Sequence, residues 1–99
     1  MNTETPFYSD TIIVLCTGHS ASSAFLGTVK QALCDVAPHL FPGDSFTLKQ
    51  LFGPDEWIAL SDGQRRLAGH CARHLAETGH IPLELATPPL VYPRRYRLR

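Results

Sequence analysis

Apolar residues along this chain change their spacing several times, and each change marks an element. Ile12-Ile13-Val14-Leu15-Cys16 is continuous and mostly β-branched, which predicts a short strand buried on both faces or paired across a dimer. Thr17-Gly18 breaks it. Phe25, Leu26, Val29, Leu33, Val36 and Ala37 then recur at helical spacing behind Ser20, Ser22 and Ser23, which offer N-caps. Pro38 closes that helix, because the residue before a proline is pushed out of the α region. After a turn at Phe41-Pro42-Gly43-Asp44, Ser45-Phe46 is a brief extended piece and Thr47 caps a helical turn over residues 48–52. Gly53-Pro54 restarts the chain, with Asp55 and Glu56 beside a positive helix end and Trp57, Ile58 and Leu60 as apolar content.

The stretch from Phe46 to Gly79 organises the rest. On a helix from Asp62 to Thr78, Leu67, Cys71 and Leu75 share one side, which Ala68, Gly69, Ala72 and Ala76 widen with small residues. Arg66, His70, Arg73, His74 and Glu77 are left as a narrow, mostly basic strip. Ser61 or Asp62 caps this helix, and Gly79 stops it in the C′ position. Beyond it, Ile81, Leu83 and Leu85 alternate with Pro82 and Glu84, and Thr87-Pro88-Pro89 makes a stiff loop. Leu90 to Arg99 returns as a second strand, with Tyr92, Arg94, Tyr96 and Leu98 on one face and Arg95, Arg97 and Arg99 on the other.

Helix, short strand, helix, helix and hairpin is the element order of the winged helix-turn-helix, which about three quarters of the chain resembles. Ser23 to Ala37 is the first helix, Phe46-Thr47 the small strand, Leu48 to Leu60 the second helix and Asp62 to Thr78 the third. The resemblance implies an α+β fold of three helices plus a C-terminal β-hairpin wing, with an extra N-terminal strand. One domain is expected over 1–99, with 1–20 as arm and strand, 23–78 as helical core and 81–99 as wing. Residues 46–69 are also similar to a family of small bacterial domains of unassigned activity. Phe46-Thr47-Leu48-Lys49, Trp57, Leu60, Ser61, Gly63, Arg65, Arg66 and Gly69 carry that likeness, which implies a fold and no particular chemistry.

With 99 residues, 43% of them hydrophobic, the chain suits one folded domain. Its longest apolar run falls far short of the ~18 to 20 residues of a membrane span, and nothing basic precedes it as in a signal peptide. A soluble, cytoplasmic protein is expected. Three cysteines without paired spacing point to a reducing compartment. The net charge of zero conceals an asymmetry. Residues 1–60 hold two lysines against six acidic side chains, a balance of −4, whereas residues 61–99 hold seven arginines against three, a balance of +4. Arginine forms planar two-pronged contacts with phosphate and guanine that lysine does not copy.

Arg65, Arg66, His70 and Arg73 fall on the third helix, which in DNA-binding winged helices enters the major groove. There Arg66 is placed to read a base and Arg73 to reach phosphate. The ordinary alternative is a solvated face with Arg73 paired to Glu77. Arg94, Arg95, Arg97 and Arg99 form a dense positive stripe that suits a phosphate backbone, or, in the ordinary alternative, guards an exposed edge strand. His70, Cys71 and His74 suggest a metal only weakly, since Cys71 points about 100° away from His70. Cys16-Thr17-Gly18-His19 resembles a nucleophile after a strand but has no acid partner in the sequence. The cysteines, Phe52 and Trp57 are therefore expected in the core, and no enzyme activity, cofactor or small-molecule substrate is expected.

These residues point to a small DNA-binding protein, a transcriptional regulator or accessory factor of a bacterial or mobile-element system. It would act on double-stranded DNA as a homodimer, with Arg66 and Arg97 converging on one side. The alternative is a non-catalytic protein-interaction module that presents the Arg-rich wing to an acidic partner.

Overall fold

Capping side chains decide where the helices begin. The computed structural model of the protein describes residues 11–88 and 91–99. Strand β1 (Ile12–Val14) runs antiparallel to β2 (Ser20–Ser22), with Ile13 opposite Ala21. At the next position Ser22 accepts from the Phe25 N–H at 3.1 Å and opens α1 (Ser23–Val36). Pro38 then sits in a 3₁₀ turn over Ala37–His39, where its missing N–H costs no helical bond. Strand β3 (Phe46–Thr47) leads into α2 (Leu48–Phe52) through a capping box in which Thr47 and Gln50 satisfy one another's backbone.

The second helix expected over 48–60 is two pieces, α2 and α3 (Pro54–Ala59). Gly53 joins them at φ +86°, a left-handed conformation open to glycine, and Pro54 has no N–H with which to continue the ladder. A second capping box, Ser61 with Gln64, starts α4 (Asp62–Glu77). Gly79 ends it at φ +75°, with its N–H on Ala76 O and the His80 N–H on Leu75 O, a Schellman closure.

Strands β4 (Leu83–Leu85) and β5 (Arg95–Leu98) complete a three-stranded antiparallel sheet in the order β3-β5-β4. Tyr96 on the central strand faces Phe46 on one side and Leu85 on the other. The fold is thus α+β, with four α-helices and two small sheets among the described residues.

Two expectations change. The second strand of the hairpin is four residues, not ten, because Pro88, Pro89 and Pro93 remove backbone donors from the stretch before it. The N-terminal strand is not buried on both faces: Ile12 is 63% and Val14 70% exposed, and only the inward positions Ile13 and Leu15 reach the core. Ser-Ala-Ser was expected to cap a helix and also forms the partner strand. The expected polar arm before residue 10, and Pro89 and Leu90 of the expected loop and second strand, lie outside the described residues.

One hydrophobic cluster unites these elements. Val29 and Leu33 of α1, Ala68, Cys71, Ala72, Leu75 and Ala76 of α4, and Leu83 and Tyr96 of the sheet are its most buried members. The small residues of α4 let both α1 and β4 approach closely. Leu33, 1% exposed, fills the α1–α4 contact, so Leu33→Ala should cost roughly 2 to 5 kcal/mol through lost burial and the cavity left behind. Chemical denaturation read by far-UV circular dichroism measures that loss.

Candidate nucleic-acid interface

The seven arginines of the C-terminal part divide by what their guanidinium groups touch. Arg65 points back along the chain: Nε donates to Trp57 O at 3.0 Å, and Nη1 pairs with Asp62 at 3.3 Å. It ties the end of α3 to the start of α4. Arg73 pairs with Glu77 at 2.7 Å, one turn along α4. Arg95 donates to Ser45 through both its side-chain oxygen and its carbonyl, at 2.8 and 2.7 Å. Arg97 pairs across the sheet with Glu84 at 2.7 Å, and Arg99 donates to Ala76 O at the end of α4. With Arg94, whose Nη2 donates to the Tyr92 hydroxyl, six of the seven are engaged with acceptors of the protein itself.

Alternation on β5 fixes the direction of its arginines. Tyr96 and Leu98 turn inward, so Arg95 and Arg97 leave by the opposite face of the sheet. Arg97 is thereby spent on Glu84, an acidic side chain that interrupts the expected stripe.

The basic surface that remains surrounds a groove of about 690 Å³ between α4, α2 and the segment before β5. Arg66 projects from the first half of α4 and Lys49 from the first turn of α2, and both are exposed. Neither side chain has a hydrogen bond or ion pair among the described residues. Arg94 arrives from the other side, its guanidinium carbon 4.7 Å from the centre of the Tyr92 ring and its Nη2 donating to the Tyr92 hydroxyl at 2.7 Å. The same guanidinium passes over Gly69, where a Cβ would stand 3.7 Å from Nη1. Trp57, Tyr92 and Tyr96 supply aromatic walls. A second groove of about 620 Å³, between α1 and α3, carries Asp35 and Glu56 and no cation.

Of the expected site residues the groove therefore gathers Arg65, Arg66, His70 and Arg94, and leaves out Arg73, Arg95, Arg97 and Arg99. Lys49 and Tyr92 belong to it although the sequence had not marked them. The signal available for them was the interleaving of aromatic and basic residues near Trp57 and Arg94. Trp57 is partly a core residue, set edge-on to Phe52 at 5.9 Å, and partly a groove wall.

Two polar atoms beside this groove are buried without a hydrogen-bond partner, Tyr96 Oη and His70 Nδ1. An unsatisfied buried group of this kind costs roughly 1 to 3 kcal/mol, which water or a ligand recovers. His70 also stacks on His19 from the β1–β2 turn, ring centres 3.7 Å apart and 18° from parallel. The neighbouring turn backbone docks through Cys16, whose N–H donates to His74 Nδ1 at 2.9 Å. The two histidines of α4 thus serve different partners, and among the described residues no three His, Cys, Asp or Glu side chains converge as metal ligands.

Cys16 is exposed, contrary to the core position expected for it. Partial burial, and then its hydrogen bond to Glu77, raise its pKa, which disfavours the nucleophilic thiolate. Cys71 is fully buried, and burial pushes its thiol up to about 11.

Burial first, then the neighbouring His19, Arg94 and Arg73, hold the His70 pKa below its ordinary 6.5. The unfolded chain accordingly takes up this proton at a higher pH than the folded one, so the contribution is complete above 6.5 and fades as pH falls towards the folded value. The denaturation midpoint should drop between about pH 7 and about pH 5, and His70→Gln should flatten that slope.

Comparison with known protein families, with curated proteins and with solved structures finds no match for this chain. The likeness of residues 46–69 to a domain family rests on its motif alone.

Proposed function

We propose that the protein is a winged-helix DNA-binding protein that contacts double-stranded DNA through the first half of α4. Three features support this reading. Helix α1, the α2–α3 pair and α4 follow the order of a winged helix, β3 stands before the second of them, and β4-β5 forms the hairpin. The β3-β5-β4 order joins that hairpin to the short strand in one sheet. The observation that carries most is electrostatic: Arg66 and Lys49 are exposed without protein partners among the described residues, beside Arg94, at the helix end that reads bases in this class of fold. The contact is smaller than seven arginines suggest, and phosphate attraction supplies most of it. A cytoplasmic regulator acting as a homodimer fits, with the exposed apolar strand β1 as one candidate for the subunit contact.

A second reading has an observation of its own. Arg97 and Arg73 already hold carboxylates at 2.7 Å, so the basic patch left over is narrow enough to suit an acidic peptide in place of a duplex.

Electrophoretic shift and fluorescence anisotropy with a random duplex distinguish the two. Binding should weaken linearly in log–log terms as salt rises, and Arg66→Ala with Lys49→Ala should lower the slope by about two. Arg97→Ala should leave the slope nearly unchanged, because its charge is spent on Glu84. No shift at ~100 µM in low salt, beyond the usual non-specific range, overturns the DNA reading.

A further inference from the structure

The groove has more chemistry than phosphate contact requires. A surface built only to follow a nucleic-acid backbone needs cations, whereas this one sets them around aromatic walls. Tyr92 is 65% exposed, a large ring left open to solvent with a guanidinium group over it. Tyr96, by contrast, is a lining residue that is 1% exposed, and its buried hydroxyl has no hydrogen-bond partner. His70, also in the lining, holds a second unpartnered atom. Aromatic faces, two unsatisfied polar atoms and the exposed cations Arg66 and Lys49 are the complement of a flat heterocycle joined to an anion.

We propose that this groove is a binding site for one unpaired nucleotide, its base against the Tyr92 and Trp57 rings and its phosphate at Arg66 and Lys49. The base edge meets Tyr96 Oη and His70 Nδ1, which gain the hydrogen bonds they lack. A volume of about 690 Å³ lies within the range of small-ligand sites. Gly69 keeps the floor low, since any side chain there would rise toward Arg94. The site rests on the nucleic-acid reading for the source of its ligand and not for its chemistry: a strand with an extruded base and a free nucleoside monophosphate present the same groups. Continuous duplex keeps its bases stacked inside and does not fill the groove.

Trp57 is the single tryptophan of the chain, so its fluorescence reports on this groove directly. Titration with deoxyadenosine monophosphate should quench it saturably, and ribose 5-phosphate, which lacks the base, should not. A hairpin duplex with a one-nucleotide bulge should bind about tenfold tighter than its fully paired counterpart, the ratio that stacking of one base supplies. Tyr92→Ala and the near-isosteric Tyr96→Phe should each bring the bulge-to-paired affinity ratio most of the way down to one. Quenching by the mononucleotide without any duplex binding would keep the site, assign it to a free nucleotide and defeat the DNA reading. Duplex binding with no bulge preference and no quenching would overturn the site and leave the DNA reading standing. Failure of both titrations would remove both.

Discussion

Close packing against the small-residue face of α4 is the constraint on which the rest of the molecule depends. Ala68, Cys71, Ala72 and Ala76 keep that face low around Leu75, so α1 and the sheet both pack closely on the helix. Leu33 and Val29 come from one direction, Leu83 and Tyr96 from another. A helix contacted in this way has little surface left for water, and its polar residues are confined to a strip. The same packing places Tyr96 beneath the Arg94 segment and sets the position of the groove.

Arginine in this chain is largely a structural residue. A guanidinium group carries five donors and loses little by satisfying backbone carbonyls at element ends, where acceptors are otherwise orphaned. Arg65 does so at the end of α3 and Arg99 at the end of α4, while Arg95 holds the approach to β3. Arg73 and Arg97 are matched by carboxylates. Exposed pairs of that kind contribute at most about 1 kcal/mol. Their larger effect is to reduce the positive field, which concentrates what remains on Arg66, Lys49 and Arg94.

The N-terminal ribbon is a separate device laid on this frame. Its β1–β2 turn touches α4 through the His19–His70 stack and the Cys16–His74 hydrogen bond, beside the buried Leu15 and Ala21 of the ribbon. Burial first, and then His19 in the stack, hold the His70 pKa down. The docking of the ribbon therefore meets the groove at His70, which stacks on His19 and also belongs to the groove lining.

Local chemistry was legible in the sequence: the caps at Thr47 and Ser61, the glycine stop at Gly79, the proline after α1 and the small-residue face of α4. Each depends on side chains reaching their own or nearby backbone, an interaction that short sequence spacing specifies. The α+β class followed from the order of those elements. Tertiary structure alone decided which arginines remain available, because Ser45 and Arg95 are far apart in the chain, as are Ala76 and Arg99, and nothing local links them. It also decided that Ser20–Ser22 pairs as a strand, since a polar tripeptide with weak strand preference takes that form only when a neighbouring edge offers it hydrogen bonds. The groove belongs to the same class: Lys49, Trp57, Arg66 and Tyr92 come from four separate segments, and only the packing of α4 brings them to one place.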